Sequence, residues 1–123
     1  MAEEKLLQKH LETWLQKIGV YPAGFPEHKM KEDPVGWYFK VWGGGFQKAG
    51  IPDMILCVKG MFMAVELKAQ RGRPSDLQIL NINRIDECDG VSCFLYPSGL
   101  EQFKRDLEQF VNYDEVAFLE YYK

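Results

Sequence analysis

Ile51-Pro-Asp-Met-Ile-Leu-Cys-Val-Lys-Gly-Met-Phe-Met-Ala-Val-Glu-Leu-Lys68 decides how the chain is read. Two apolar runs meet at Lys59-Gly60, and Gly in the second loop position marks a two-residue hairpin turn. With that turn the strands pair antiparallel. Val58 then faces Met61, Ile55 faces Ala64, and Asp53 faces Glu66. Opposed residues share a face and lie about 4.5–5.5 Å apart at Cβ. Lys68 joins Glu66 on that face by alternation, while Val65 and Leu67 point away. Two carboxylates and an ammonium are thus expected at one end of an apolar hairpin. Opposed like charges destabilise a sheet, so they are either tolerated as a surface salt-bridge cluster or neutralised by a cation. The same register survives a four-residue loop closed by Cys57 and Phe62, but not a loop of three or five.

Outward from the hairpin, Trp37 to Trp42 has strand composition, with Lys40 between Phe39 and Val41. Lys40 faces either solvent on an edge strand or a site. Gly43-Gly44-Gly45 reads as a loop with possible DNA contact. Gln70 to Pro74 is a basic loop. Ser75 opens a helix to about Glu87 through a capping box with Gln78, and Leu77, Ile82 and Ile85 supply its apolar positions. Val91 to Tyr96 reads as a strand. Ser98-Gly99-Leu100-Glu101 reads as a second capping box, opening a helix with Leu100, Phe103, Leu107, Phe110 and Val111 on one face.

Residues 2–18 form an amphipathic helix in this reading. Leu7, Leu11, Trp14, Leu15 and Ile18 fall within about 60° of one line. Glu4 lies about 40° from that line, Glu3 about 60° on the other side and Glu12 about 120° away. Glu4 is therefore the acid nearest the buried face, although acids in a first turn also serve the helix dipole. Gly19 ends the helix, and residues 19–36, with Pro22, Gly24, Pro26, Pro34 and Gly36 around His28, Lys29 and Lys31, read as a loop. The order helix, strand, hairpin, helix, strand, helix gives a single α/β domain. A parallel pair from the strand–helix–strand unit Glu66 to Tyr96 makes its sheet mixed.

The 123 residues suffice for one domain. No apolar run reaches membrane-spanning length, and the N-terminus is charged rather than a signal peptide. A cytoplasmic protein is expected. The three cysteines, Cys57, Cys88 and Cys93, suggest buried free thiols and no zinc site. Net charge is −3, yet residues 29–73 hold eight basic residues against four acidic ones. That places positive charge around the hairpin, as a phosphate-bearing partner would require.

Asp53 and Glu66 offer hard oxygen ligands suited to Mg2+ or Mn2+. Glu4 would make a third carboxylate. Lys68 is placed to orient water or stabilise developing charge.

Pro52-Asp53 followed by Glu66-Leu67-Lys68 matches the signature of the PD-(D/E)xK nucleases. Gly50-Ile51-Pro52-Asp53, Ala64-Val65-Glu66-Leu67-Lys68, Ser75-Asp76-Leu77-Gln78, the preceding Lys40 strand and the Glu4–Gln8 helix together resemble the VRR-NUC branch, over residues 3–110. The resemblance implies a restriction-endonuclease-like core over residues 1–112, with 113–123 as a C-terminal extension forming a cover strand or dimer contact. It implies a Mg2+- or Mn2+-dependent endodeoxyribonuclease. Its small stand-alone members, in phages and bacteria, resemble Holliday-junction resolvases and act as homodimers on branched DNA, which implies a DNA-repair setting in a bacterial or phage-infected cell. Carried onto this chain, Asp53, Glu66, Glu4 and the Leu67 carbonyl would hold metal, and Lys68 would be catalytic. Gln78 would support the site, beside or instead of its capping role. Lys40, Lys48, Arg71 and Arg73 are candidates for DNA contact. Glu3 is the alternative to Glu4.

Overall fold

The computed structural model describes residues 2–41 and 49–113. Lys48, the Gly43–Gly45 run and the apolar tail lie outside the described residues. Helix α1 (Ala2–Lys17) is followed by β1 (Val20–Pro22), a short 3-10 turn (Glu27–Lys29) and β2 (Gly36–Lys40). Strands β3 (Met54–Val58) and β4 (Met61–Leu67) form the hairpin. Helix α2 (Asp76–Glu87), β5 (Val91–Leu95), a second 3-10 turn (Pro97–Gly99) and α3 (Leu100–Asn112) complete the order.

The five strands lie in one sheet in sequence order, with both outer pairs parallel and both inner pairs antiparallel. The α/β mixed sheet with a central hairpin therefore stands. Its hairpin register is the expected one: Ile55 pairs with Ala64 and Val58 with Met61. Lys59 and Gly60 both take positive φ, 51° and 81°. Two successive left-handed residues make the turn whose twist matches the strands.

One sheet face is the core. Met54, Leu56 and Val58 of β3 alternate onto it and pack with Met63 and Val65 of β4. Leu7, Leu11 and Leu15 of α1 close it from one side, and Leu100, Phe103, Leu107 and Phe110 of α3 from the other. These are the stripes that helical periodicity selects. Tyr38 is fully buried there. Its hydroxyl donates to Glu12 Oε1 at 2.8 Å and accepts from Gln16 Nε2 at 3.2 Å. Burial, above all, pushes its pKa up.

Helix α2 covers part of the opposite face. Ser92 Oγ reaches the Ile82 carbonyl at 2.9 Å and Asp86 Oδ1 at 3.0 Å, tying α2 to β5. Only Ile82 of α2 is buried. Leu77, expected among its apolar positions, is exposed because the helix leans on the sheet through Gln78 and Ile82.

Three other expectations change. The stretch read as a loop contains β1, a three-residue edge strand ending in Pro22, where a missing N–H costs no ladder bond. The second capping box does not form. Pro97 starts a 3-10 turn that runs into α3, so Gly99 is the N-cap without a side-chain bond. The Ser98 N–H donates instead to Gln70 Oε1 at 2.9 Å. The cysteines are free, but Cys57 and Cys88 are exposed, because Cys57 alternates away from the core. Cys93 is mostly enclosed, and burial pushes its thiol up to about 12. Trp42 falls outside the described residues, and β2 is assigned from Gly36 to Lys40.

No helix among the described residues is long and apolar enough to cross a membrane.

Candidate functional site

Beyond Met54 and Val65 the hairpin opens, and its last residues carry the acids. Asp53 leaves the ladder but stays attached to it. Its Oδ2 accepts from the Leu67 N–H at 2.8 Å, and its carbonyl accepts from the Val41 N–H at 2.7 Å. The paired ladder ends at Met54 and Val65, and Pro52 beyond it has no N–H to donate. The preceding Gly50, at φ 83°, abuts the first turn of α2, where an added Cβ would sit 2.7 Å from Leu77 Cβ. Asn81 Nδ2 donates to the Gly50 carbonyl at 2.9 Å. The Gly-Ile-Pro-Asp stretch is thereby wedged between the sheet and α2.

Glu66 is 5 % exposed. Its Oε2 accepts from Gln78 Nε2 at 2.9 Å and lies 3.9 Å from Lys68 Nζ. Its Oε1 is buried with no hydrogen-bond partner. Burial costs such a group its hydration. Burial first, and then the neighbouring charge of Asp53, push the Glu66 carboxyl up to about 8. Asp53 is also raised, chiefly by burial. The Leu67 N–H and Glu66 oppose that rise, while the Glu4 charge adds to it. The two acids titrate together, and their shared burial favours keeping a proton between them.

Gln78 holds this arrangement from α2. Its Oε1 accepts from the Ser75 N–H at 2.9 Å, and its own N–H donates to Ser75 Oγ at 3.2 Å. The capping box fixes the side chain, and the remaining amide hydrogens reach Glu66. Gln78 thus completes the capping box of α2 and also contacts Glu66.

Helix α1 brings Glu4 into a cavity of about 130 Å³ that it shares with Lys5, Gln8, Asp53 and Leu67. Glu3 points elsewhere, and its Oε1 accepts from the Gln70 N–H at 2.7 Å. Of the two glutamates, Glu4 is the one beside Asp53. Among the described residues, no three His, Cys, Asp or Glu side chains stand together closely enough to hold a metal ion. Asp53 and Glu66 do meet the chemical test for a hard cation. Both are oxygen donors, both are desolvated, and one oxygen is buried without a donor.

Lys68 is buried, and its Nζ also reaches the Arg73 carbonyl at 3.5 Å. Arg71 and Arg73 are exposed on the loop after β4. Lys40 is half exposed and pairs with Glu12 Oε2 at 3.5 Å. That oxygen also accepts from Gln8 Nε2 at 3.1 Å. Glu12 was not singled out as a site residue, yet it connects the Glu4 cavity, through Gln8, to Lys40. The signal was the i, i+4 spacing of Gln8, Glu12 and Gln16, which places three polar groups on one side of α1. Compared with known proteins, the chain matches no family model, no curated protein and no solved structure.

Proposed function

We infer that the protein is a metal-dependent endonuclease that hydrolyses phosphodiester bonds in DNA, with branched DNA as the favoured substrate. The observation that carries this reading is the desolvated pair Asp53–Glu66 beside Lys68, with Glu66 Oε1 left without a hydrogen-bond partner. The resemblance to the VRR-NUC branch, whose elements the mixed α/β sheet accommodates, supports it. Asp53 and Glu66 would hold Mg2+ or Mn2+, with the Leu67 carbonyl and Glu4 within the same cavity or strand end. A divalent ion there supplies Lewis-acid polarisation of the phosphodiester and neutralises charge developing on it.

The remaining work falls to the chain. Asp53, fixed by the Leu67 N–H, presents one oxygen in a defined direction. Gln78 holds Glu66 in a single orientation, leaving Oε1 free to coordinate. Lys68, once Glu66 is engaged by a cation, can donate its ammonium hydrogens to a non-bridging phosphate oxygen and stabilise the added negative charge. Arg71 and Arg73 present exposed cations to the neighbouring backbone phosphates.

A labelled four-way junction, a flap and a linear duplex, each incubated with Mg2+ or Mn2+, test the reading. Cleavage of the junction is expected, with loss in Asp53→Ala and Lys68→Ala. Cleavage of none, or cleavage indifferent to both substitutions, overturns it. One observation favours a second reading, a DNA-binding module of the same fold without catalysis: no tight three-acid cluster exists among the described residues. It predicts DNA binding that persists in EDTA and no turnover with either ion.

A further inference from the structure

A second cavity, of about 380 Å³, lies at the other end of α1. It is formed where the last turns of α1 face β1 and the loop that follows. Its size is that of a small-ligand site, for which about 300–1,000 Å³ is usual. Among the described residues its lining carries Lys17, Lys29 and Lys31 against Glu32 alone. Two aromatic rings stand beside these cations. Phe25 stacks on Tyr21 with ring centroids 4.9 Å apart and planes 19° from parallel.

The wall is a built feature. Tyr21 is 4 % exposed. Its hydroxyl donates to the Glu32 carbonyl at 3.0 Å and accepts from the Glu32 N–H at 3.0 Å. The segment bearing Lys29 and Lys31 is thus pinned to β1 at its far end. The basic stretch noted in the sequence therefore divides in the structure. Lys68 serves the acids, whereas Lys29 and Lys31 belong to this cavity.

Clustered ammonium groups next to a stacked aromatic pair are the combination that takes unpaired nucleotides. Cations follow the phosphates, and ring faces accept bases without regard to sequence. We propose that this cavity binds a single-stranded stretch of the DNA substrate, with a base stacked at Phe25 and its flanking phosphates held by Lys17, Lys29 and Lys31. The proposal rests on the nuclease reading for its role but not for its binding. Thirteen helical residues separate Glu4 from Lys17, which is about 20 Å at about 1.5 Å per residue. That spans about six base-pair steps at about 3.4 Å each. The site thereby measures the distance from an unpaired strand to the bond that is cut, a basis for preferring branched or flapped DNA over plain duplex.

The experiment is fluorescence anisotropy with the full chain in EDTA, using a labelled twelve-residue oligo-dT and a matched duplex. Wild type is expected to prefer the single strand. Phe25→Ala is expected to weaken oligo-dT binding about tenfold, with Phe25→Trp restoring it. Since Phe25→Ala removes a packed ring, the exposed pair Lys29→Ala/Lys31→Ala provides a second arm. It is expected to lower the slope of log K against log salt by about 1.4, at about 0.7 per single-strand phosphate contact. Unchanged oligo-dT affinity and salt slope in both variants overturn the proposal, as does equal binding of duplex, or displacement by dTMP alone, which would make the ligand a free nucleotide. Asp53→Ala is expected to bind oligo-dT normally. Absence of cleavage with intact Phe25-dependent binding would sink the nuclease reading alone, and cleavage with Phe25-independent binding would sink this one alone.

Discussion

The two ends of the β3–β4 hairpin are built from one ladder and treated in opposite ways. At the turn every demand is met. Lys59 and Gly60 take the left-handed conformations the turn needs, and the Lys59 N–H donates to the Val35 carbonyl at 2.8 Å. The Lys59 ammonium caps the end of α3 through the Phe110 and Val111 carbonyls at 3.4 and 3.3 Å. At the open end a buried carboxylate oxygen has no partner, two acids share a desolvated corner, and the β3–β4 ladder has ended at Met54 and Val65. A buried charge without compensation costs stability. Only the turn end is arranged for stability, and a tension held at a buried site is where an ion or a reaction can be stabilised instead.

The largest effect that would break this contrast is on cleavage. Lys68→Ala should lower single-turnover cleavage of a junction by about 10²–10³-fold, and Asp53→Ala by at least as much, while turn variants leave the rate of folded protein unchanged. Next is the cost of the acids. The Glu66 carboxyl is raised in the folded state from 4.5 to about 8. Its contribution is therefore fully present below about pH 4.5 and lost as pH rises through about 8. Urea unfolding in EDTA should show wild type losing stability across that window, by at most about 3–5 kcal/mol. Glu66→Gln should flatten the profile and be the more stable protein at pH 9.

Mg2+ or Mn2+ should offset the same cost. Thermal unfolding at pH 8 should shift upward with ion concentration, by about 2.7 kcal/mol at a hundredfold excess over Kd, and not at all in Asp53→Ala. Gln78→Ala should reduce cleavage or ion affinity about 10–100-fold, measured by titrating Mn2+. The smallest effect belongs to the turn. Gly60→Ala, at φ 81° with open space around it, should cost about 1–2 kcal/mol by denaturant melts and nothing in activity.

What could be read in advance was whatever depended on neighbours in sequence. Lys59-Gly60 selected the turn, the turn set the register, and the register brought Asp53 and Glu66 to the same open end of the hairpin. Ser75 and Gln78 announced the start of α2 from four residues. Other features required the packing. That Gln78 reaches Glu66 depends on α2 lying across β4. That Glu12 binds Tyr38 and Lys40 depends on how α1 crosses β2. Local rules also misled where a competing constraint intervened. Pro97 forced a 3-10 turn onto the second capping sequence, and Pro22 concealed an edge strand. Cys57 illustrates a weaker rule, since the buried habit of free thiols gave way to strand alternation.

The double duty of Gln78 has a thermodynamic consequence. The amide oxygen stitches the first turn of α2, and the amide nitrogen anchors Glu66. Fraying of that turn and release of the carboxylate are therefore one equilibrium. Whatever immobilises Glu66 must slow hydrogen exchange at the Ser75 and Gln78 amides, so the helix terminus becomes a gauge of what the carboxylate is holding.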